Sequence, residues 1–82
     1  MDKSEVQQRV VRVVCQVLDV DEDMVEAKSH FVFDLGAEST QSVELVTAFE
    51  GEFDIDMEEE AALKVQTVGD AVDFIAGYVV EK

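Results

Sequence analysis

Apolar residues recur at three- and four-residue intervals in three stretches of the chain, and acidic or polar segments separate them. Val6, Val10, Val13, Val14 and Val17 predict a first helix from Ser4 to Leu18, with Gln7, Arg9, Arg12 and Gln16 on its polar face. Ser4 is the expected N-cap. Five valines oppose intrinsic helix propensity, so this helix depends on tertiary packing. Val43, Val46, Phe49 and Phe53, with Leu45 and Ala48 beside them, predict a second helix from Ser39 to Glu52. Val68, Ala71, Val72, Ile75 and Val79 predict a last helix that starts at Thr67, its cap, with Asp70 three residues on. Glu58 to Leu63 is expected to form a short helical turn ending by Val65. No stretch alternates with the period of a strand.

Between the first two helices, Asp19 to Glu38 reads as a long connection. It opens with Asp19, Asp21, Glu22 and Asp23, passes a turn at Met24 and Val25, and reaches an apolar cluster at Phe31, Val32, Phe33 and Leu35 before Gly36. A cluster of that kind predicts that the loop folds back over the helices. The pattern as a whole is that of an all-α four-helix bundle, with three longer helices, one short one and a long first loop. Eighty-two residues predict one domain spanning 1–82.

Charge changes the picture most. Twenty Asp and Glu against six Lys and Arg leave a net charge of −14. Such a surface repels phosphate backbones and anionic lipid, which argues against nucleic acid and membrane insertion, and it favours partners with basic patches. Self-repulsion also predicts a monomer, stabilised by divalent cations. A hydrophobic fraction of 48% with no proline places the chain among folded proteins. Met1 to Arg12 is charged throughout and lacks the apolar centre of a signal peptide, so a cytoplasmic location is expected. The single cysteine, Cys15, lies in an apolar run and is expected in or near the core of a reduced protein.

Catalytic and metal-binding patterns find little support. Asp19, Asp21 and Asp23 begin like a calcium loop, but the sixth position is Met24 and the twelfth is His30. Asp54, Asp56 and Glu58 fail at the same places, with Glu59 and Val65. His30 is the only histidine, and no phosphate-binding glycine loop is present, so no metal centre and no enzyme are expected. Ser39 stands out, because it opens an amphipathic helix after a glycine turn. A phosphate ester there would meet the free N–H groups and positive end of the helix. From local chemistry alone, a plain helix cap is the simpler reading of Ser39.

The run Phe31-Val32, Asp34-Leu35-Gly36-Ala37, Val43-Glu44-Leu45-Val46, Glu52-Phe53-Asp54-Ile55 and Thr67-Val68-Gly69-Asp70-Ala71-Val72 resembles the discrete acyl carrier proteins of fatty acid and polyketide synthesis. The resemblance covers nearly the whole chain and agrees with it in length, acidity and order of elements. It implies a carrier that is a cosubstrate of other enzymes, with 4'-phosphopantetheine attached at Ser39 by a phosphopantetheinyl transferase and acyl groups held as thioesters. The implied docking face for acyl-transferring or synthase enzymes comprises Glu38, Thr40, Gln41, Glu44, Glu50, Glu59 and Glu60. The implied acyl pocket lies between the second and last helices, lined by Phe31, Leu35, Val43, Val46, Phe49, Ala62, Val65, Ala71 and Ile75. Where the family has Asp-Ser-Leu, this chain has Glu38-Ser39-Thr40. That difference bears on which transferase accepts it. It also motivates two other readings: an unmodified acidic adaptor with the carrier fold, or a carrier with an aminoacyl, D-alanyl or polyketide load.

Overall fold

The computed structural model describes residues 2–79. Its helices are α1 (Lys3–Leu18), α2 (Ser39–Phe53), α3 (Glu59–Leu63) and α4 (Val68–Val79), with a 3-10 turn at Glu22–Met24. No strand occurs among the described residues; one isolated antiparallel bridge joins His30 to Thr67.

The cap of the first helix lies two residues earlier than its sequence suggests. Asp2 is the N-cap, its Oδ1 accepting from the Glu5 N–H at 2.9 Å, and Ser4 lies exposed in the first turn. Asp2 caps instead of Ser4 because its carboxylate reaches the N–H three residues on and carries the charge that the helix dipole favours. Val6, Val10 and Val14 are fully buried and Val13 nearly so, whereas Val17 is only half-buried and Leu18 completes the stripe. This stripe packs on both α2 and α4, and Arg9 bridges α1 to α2 through Glu52 at 3.1 Å. Both long helices stop at an aspartate in the left-handed conformation, Asp19 and Asp54, each with φ 54°. Their N–H groups donate to the carbonyls of Cys15 and Glu50, closing the last turns as a glycine would.

The second helix runs through Gly51 to Phe53 and buries Leu45, Val46, Phe49 and Phe53. Val43, expected on that stripe, is 43% exposed. At about 100° per residue the buried face is centred between Leu45 and Val46. Val43 falls about a quarter-turn outside it, and Ser42 takes the inward position instead.

The long first connection is stitched to the start of α4. Phe31 N–H donates to the Gln66 carbonyl (2.9 Å), Val68 N–H to that of Ser29 (3.0 Å) and Gly69 N–H to that of Ala27 (2.7 Å). Ser29, a buried polar residue, accepts the Glu26 N–H on its Oγ at 2.9 Å. The apolar cluster then divides. The chain at 30–37 makes a helical turn, with the Asp34 N–H on the His30 carbonyl (2.9 Å) and the Ala37 N–H on that of Phe31 (2.8 Å). Residues four apart share a face in such a turn, so Phe31 and Leu35 are buried. Val32 and Phe33 lie between them in sequence and remain 48% and 85% exposed, contrary to their expected place over the helices.

Cys15 is half-buried and packs against the core. Burial, then the nearby Glu22 and Asp21 carboxylates, raise its thiol pKa above the ordinary value, which disfavours the reactive thiolate.

Candidate functional site

The turn at 31–35 leads through Gly36 (φ +73°), Ala37 and Glu38 into α2. A left-handed φ there suits glycine, since a side chain would strain the backbone. Glu38 is the extended N-cap of α2, and its own N–H donates to Gln41 Oε1 at 2.9 Å. Its carbonyl accepts the Ser42 N–H (2.9 Å) and the Ser42 hydroxyl (3.3 Å). Ser39 is thus the first helical residue and not the cap, which revises the simple capping reading. Its side chain is exposed, at the positive end of a fifteen-residue helix.

One helical turn below Ser39, Ser42 lines an apolar cleft of about 190 Å³. From α2 come Ser42, Leu45, Val46 and Phe49; from α4, Ala71, Phe74 and Ile75. Met57, Ala62, Leu63, Val65 and Gln66, together with His30, Phe31 and Val32, complete the lining. Seven of the residues expected at an acyl pocket lie here: Phe31, Val46, Phe49, Ala62, Val65, Ala71 and Ile75. Leu35 and Val43 do not: Leu35 is buried without reaching the lining, and Val43 is 43% exposed. Leu45 and Phe74 were within reach of helical spacing, three residues from Ser42 and Ala71. Met57 lies in a connection with no periodicity, so nothing in the sequence marks it.

The expected docking residues separate by environment. Glu38, Thr40, Glu44, Glu59 and Glu60 are exposed. Gln41 is half-buried and holds the start of α2. Glu50 is half-buried as well, and its carboxylate accepts the Met57 N–H at 2.9 Å, fastening the segment after α2. No Lys or Arg occurs between Lys28 and Lys64, so the charged side chains of α2 and α3 are all acidic.

An exposed hydroxyl at a helix N-terminus, with an apolar cleft one turn away, fits a phosphodiester-linked arm that carries an apolar load. Residues 8–75 match the family model described as "Phosphopantetheine attachment site". The chain is 53% identical to an acyl carrier protein of Phenylobacterium zucineum over 72 residues, 88% of this chain and 91% of that relative. It is 51% identical to one from Caulobacter vibrioides, covering 88% and 92% of the two chains. Against one from a Picosynechococcus species the identity is 47%, covering 88% and 89%. No helix among the described residues is long and apolar enough to cross a membrane. A matching family model over most of the chain and relatives of this similarity lead to one conclusion: the chain belongs to the acyl carrier protein family, as a phosphopantetheine-bearing carrier for acyl synthesis on which synthases and transferases act and which is not itself an enzyme.

Proposed function

We propose that Ser39 is the residue that bears the phosphopantetheine arm. The observation that carries this is its place: first residue of α2, exposed, outside the cap made by Glu38 and Gln41, and one turn from the cleft. On a phosphopantetheinyl transferase the Ser39 hydroxyl displaces adenosine 3',5'-bisphosphate from coenzyme A: the pyrophosphate bond breaks, a phosphodiester to Ser39 forms, and the serine proton is lost. The attached arm supplies a terminal thiol that holds acyl groups as thioesters. Ser39 sets where the arm starts, and the first turn of α2 offers N–H groups and a positive dipole end to its phosphate. Tethering keeps the load at high effective concentration near each successive enzyme.

The cleft gives the apolar load a dry place between transfers. Its lining is core-like in composition, so the same residues support the fold when the cleft is unfilled. Exposed Glu38, Glu44, Glu59 and Glu60, with Thr40 next to Ser39, form the face offered to basic patches of synthase and transferase partners. Contacts of this kind form fast and weaken with salt, which suits a shuttle. Gln41 and Glu50 are committed to internal hydrogen bonds and contribute less to that face. Residues 1–82 act as one carrier domain, monomeric through self-repulsion and working in the cytoplasm.

Intact-protein mass after incubation with coenzyme A and a broad-specificity phosphopantetheinyl transferase tests the assignment. A single adduct on the wild type and none on Ser39→Ala is the expected result. No adduct, with this enzyme or those of the native host, would identify an unmodified adaptor with the carrier fold.

A further inference from the structure

Phe33 is 85% exposed, the most exposed of the large apolar side chains among the described residues. A lone surface hydrophobe needs no explanation, but this one is held in place. The N–H groups of Val32 and Phe33 both donate to His30 Nδ1, at 3.1 and 3.2 Å. The imidazole lies against the phenyl ring, centroids 4.4 Å apart and planes inclined at 41°. Asp34 Oδ2 accepts the His30 N–H at 2.7 Å and closes the turn from the other side. The ring therefore projects from an ordered turn, and a partner that covers it meets a low ordering cost.

Its surroundings point to one kind of partner. The turn runs directly into Ser39, and its residues His30 and Val32 line the same cleft as Ser42. Asp34 and Glu38, both on that path, are exposed, within the stretch that has no basic residue. At the position after Ser39, exposed Thr40 presents a hydroxyl on the outer face of α2 and no large apolar group. An enzyme that modifies Ser39 must approach the hydroxyl itself, at the end of the short segment that this turn opens. Enzymes that act on the far end of the arm have no such constraint.

We propose that Phe33 is the apolar anchor for the phosphopantetheinyl transferase, filling an apolar pocket rimmed by Lys or Arg on that enzyme. The proposal rests on Ser39 being the attachment residue. Anchors of this kind dominate the energetics of an interface, while the surrounding charges set orientation and on-rate. Modification of Phe33→Ala should therefore show a kcat/KM lowered about 30-fold, carried by KM with kcat nearly unchanged. Phe33→Leu should recover most of that loss.

The test is steady-state modification of the apo carrier by the host's transferase, for wild type, Phe33→Ala and Phe33→Leu, at low and at high salt. The melting temperatures of the variants should match wild type, since the ring is exposed. The Phe33→Ala deficit should persist at high salt, where contributions from the acidic residues fade. Equal kcat/KM for wild type and Phe33→Ala, with wild type modified normally, would overturn the anchor alone. So would an unchanged KM accompanied by faster hydrolysis of an acyl thioester, which would make Phe33 a cover for the cleft. A wild type that takes no adduct would overturn the Ser39 assignment, and the anchor with it.

Discussion

Gly69 lacks a side chain because Ala27 already occupies the place a side chain would fill. A Cβ built there meets the Ala27 carbonyl oxygen at 2.9 Å, the same oxygen that accepts the Gly69 N–H at 2.7 Å. The first connection and the start of α4 can approach this closely only with glycine. Gly69→Ala should lower stability by about 1–3 kcal/mol, read as a shifted denaturant midpoint, because backbone must move to make room. His30 is another residue whose role emerges only in the fold. Rejected as a metal ligand for want of partners, it serves as an acceptor for two backbone N–H groups and a surface for Phe33. Nothing in spacing or composition distinguishes a histidine that organises a turn from one that decorates it. Ser39, by contrast, was legible as a candidate because it follows a glycine turn and opens an amphipathic helix.

The helices were readable as elements because their apolar periodicity is strong and long. Their ends were less so. The start of α1 passed from Ser4 to Asp2, since capping depends on which side chain the preceding backbone aims at the first turn. The cap of α4 matched its expectation: Thr67 Oγ1 accepts the Asp70 N–H at 3.1 Å. The end of α2 carries a test that separates structure from docking. Glu50 reaches across the turn to the Met57 N–H and so holds a buried methionine at the wall of the cleft. Glu50→Ala should cost about 1–3 kcal/mol, because a partly buried N–H loses a charged acceptor. Glu60→Ala, at an exposed position, should stay within about 0.5 kcal/mol of wild type. Thermal melts of the two variants side by side check this, and equal losses would remove the structural role assigned to Glu50.

Across the whole molecule, the core is a single cluster running from Val6 to Ile75, and the cleft opens on its side between α2 and α4. The fold needs these apolar surfaces together, while a carried acyl chain needs room among some of them. If the chain enters the cleft, each methylene it buries should add about 0.8 kcal/mol until the space is full. Melting temperatures of the loaded carrier should then rise with acyl length and level off. A flat series would place the acyl chain in solvent. Charge acts at this scale too: all six Lys and Arg lie outside the segment 29–63, so every charged side chain on α2 and α3 is acidic. Such charge attracts basic partners and raises their on-rate.

The amino-acid sequence by itself determined the helical class, the order and approximate extent of the elements, the acidic character of α2 and α3, and Ser39 as the residue to watch. The first three follow from local spacing and from charge, which need no knowledge of what packs where; Ser39 was singled out by resemblance to the carrier family, since local chemistry alone reads it as a cap. Only the tertiary structure decided which apolar residues turn inward. The turn at 31–35 buried Phe31 and Leu35 and left Phe33 in solvent, and the angle of α2 put Ser42, not Val43, at the cleft. It also brought Met57 to the cleft and joined Ala27 to Gly69, contacts between segments far apart in the chain or without periodicity. Such placements depend on how whole elements dock against one another, and that arrangement minimises exposed apolar area for the molecule together, with no trace at any one position.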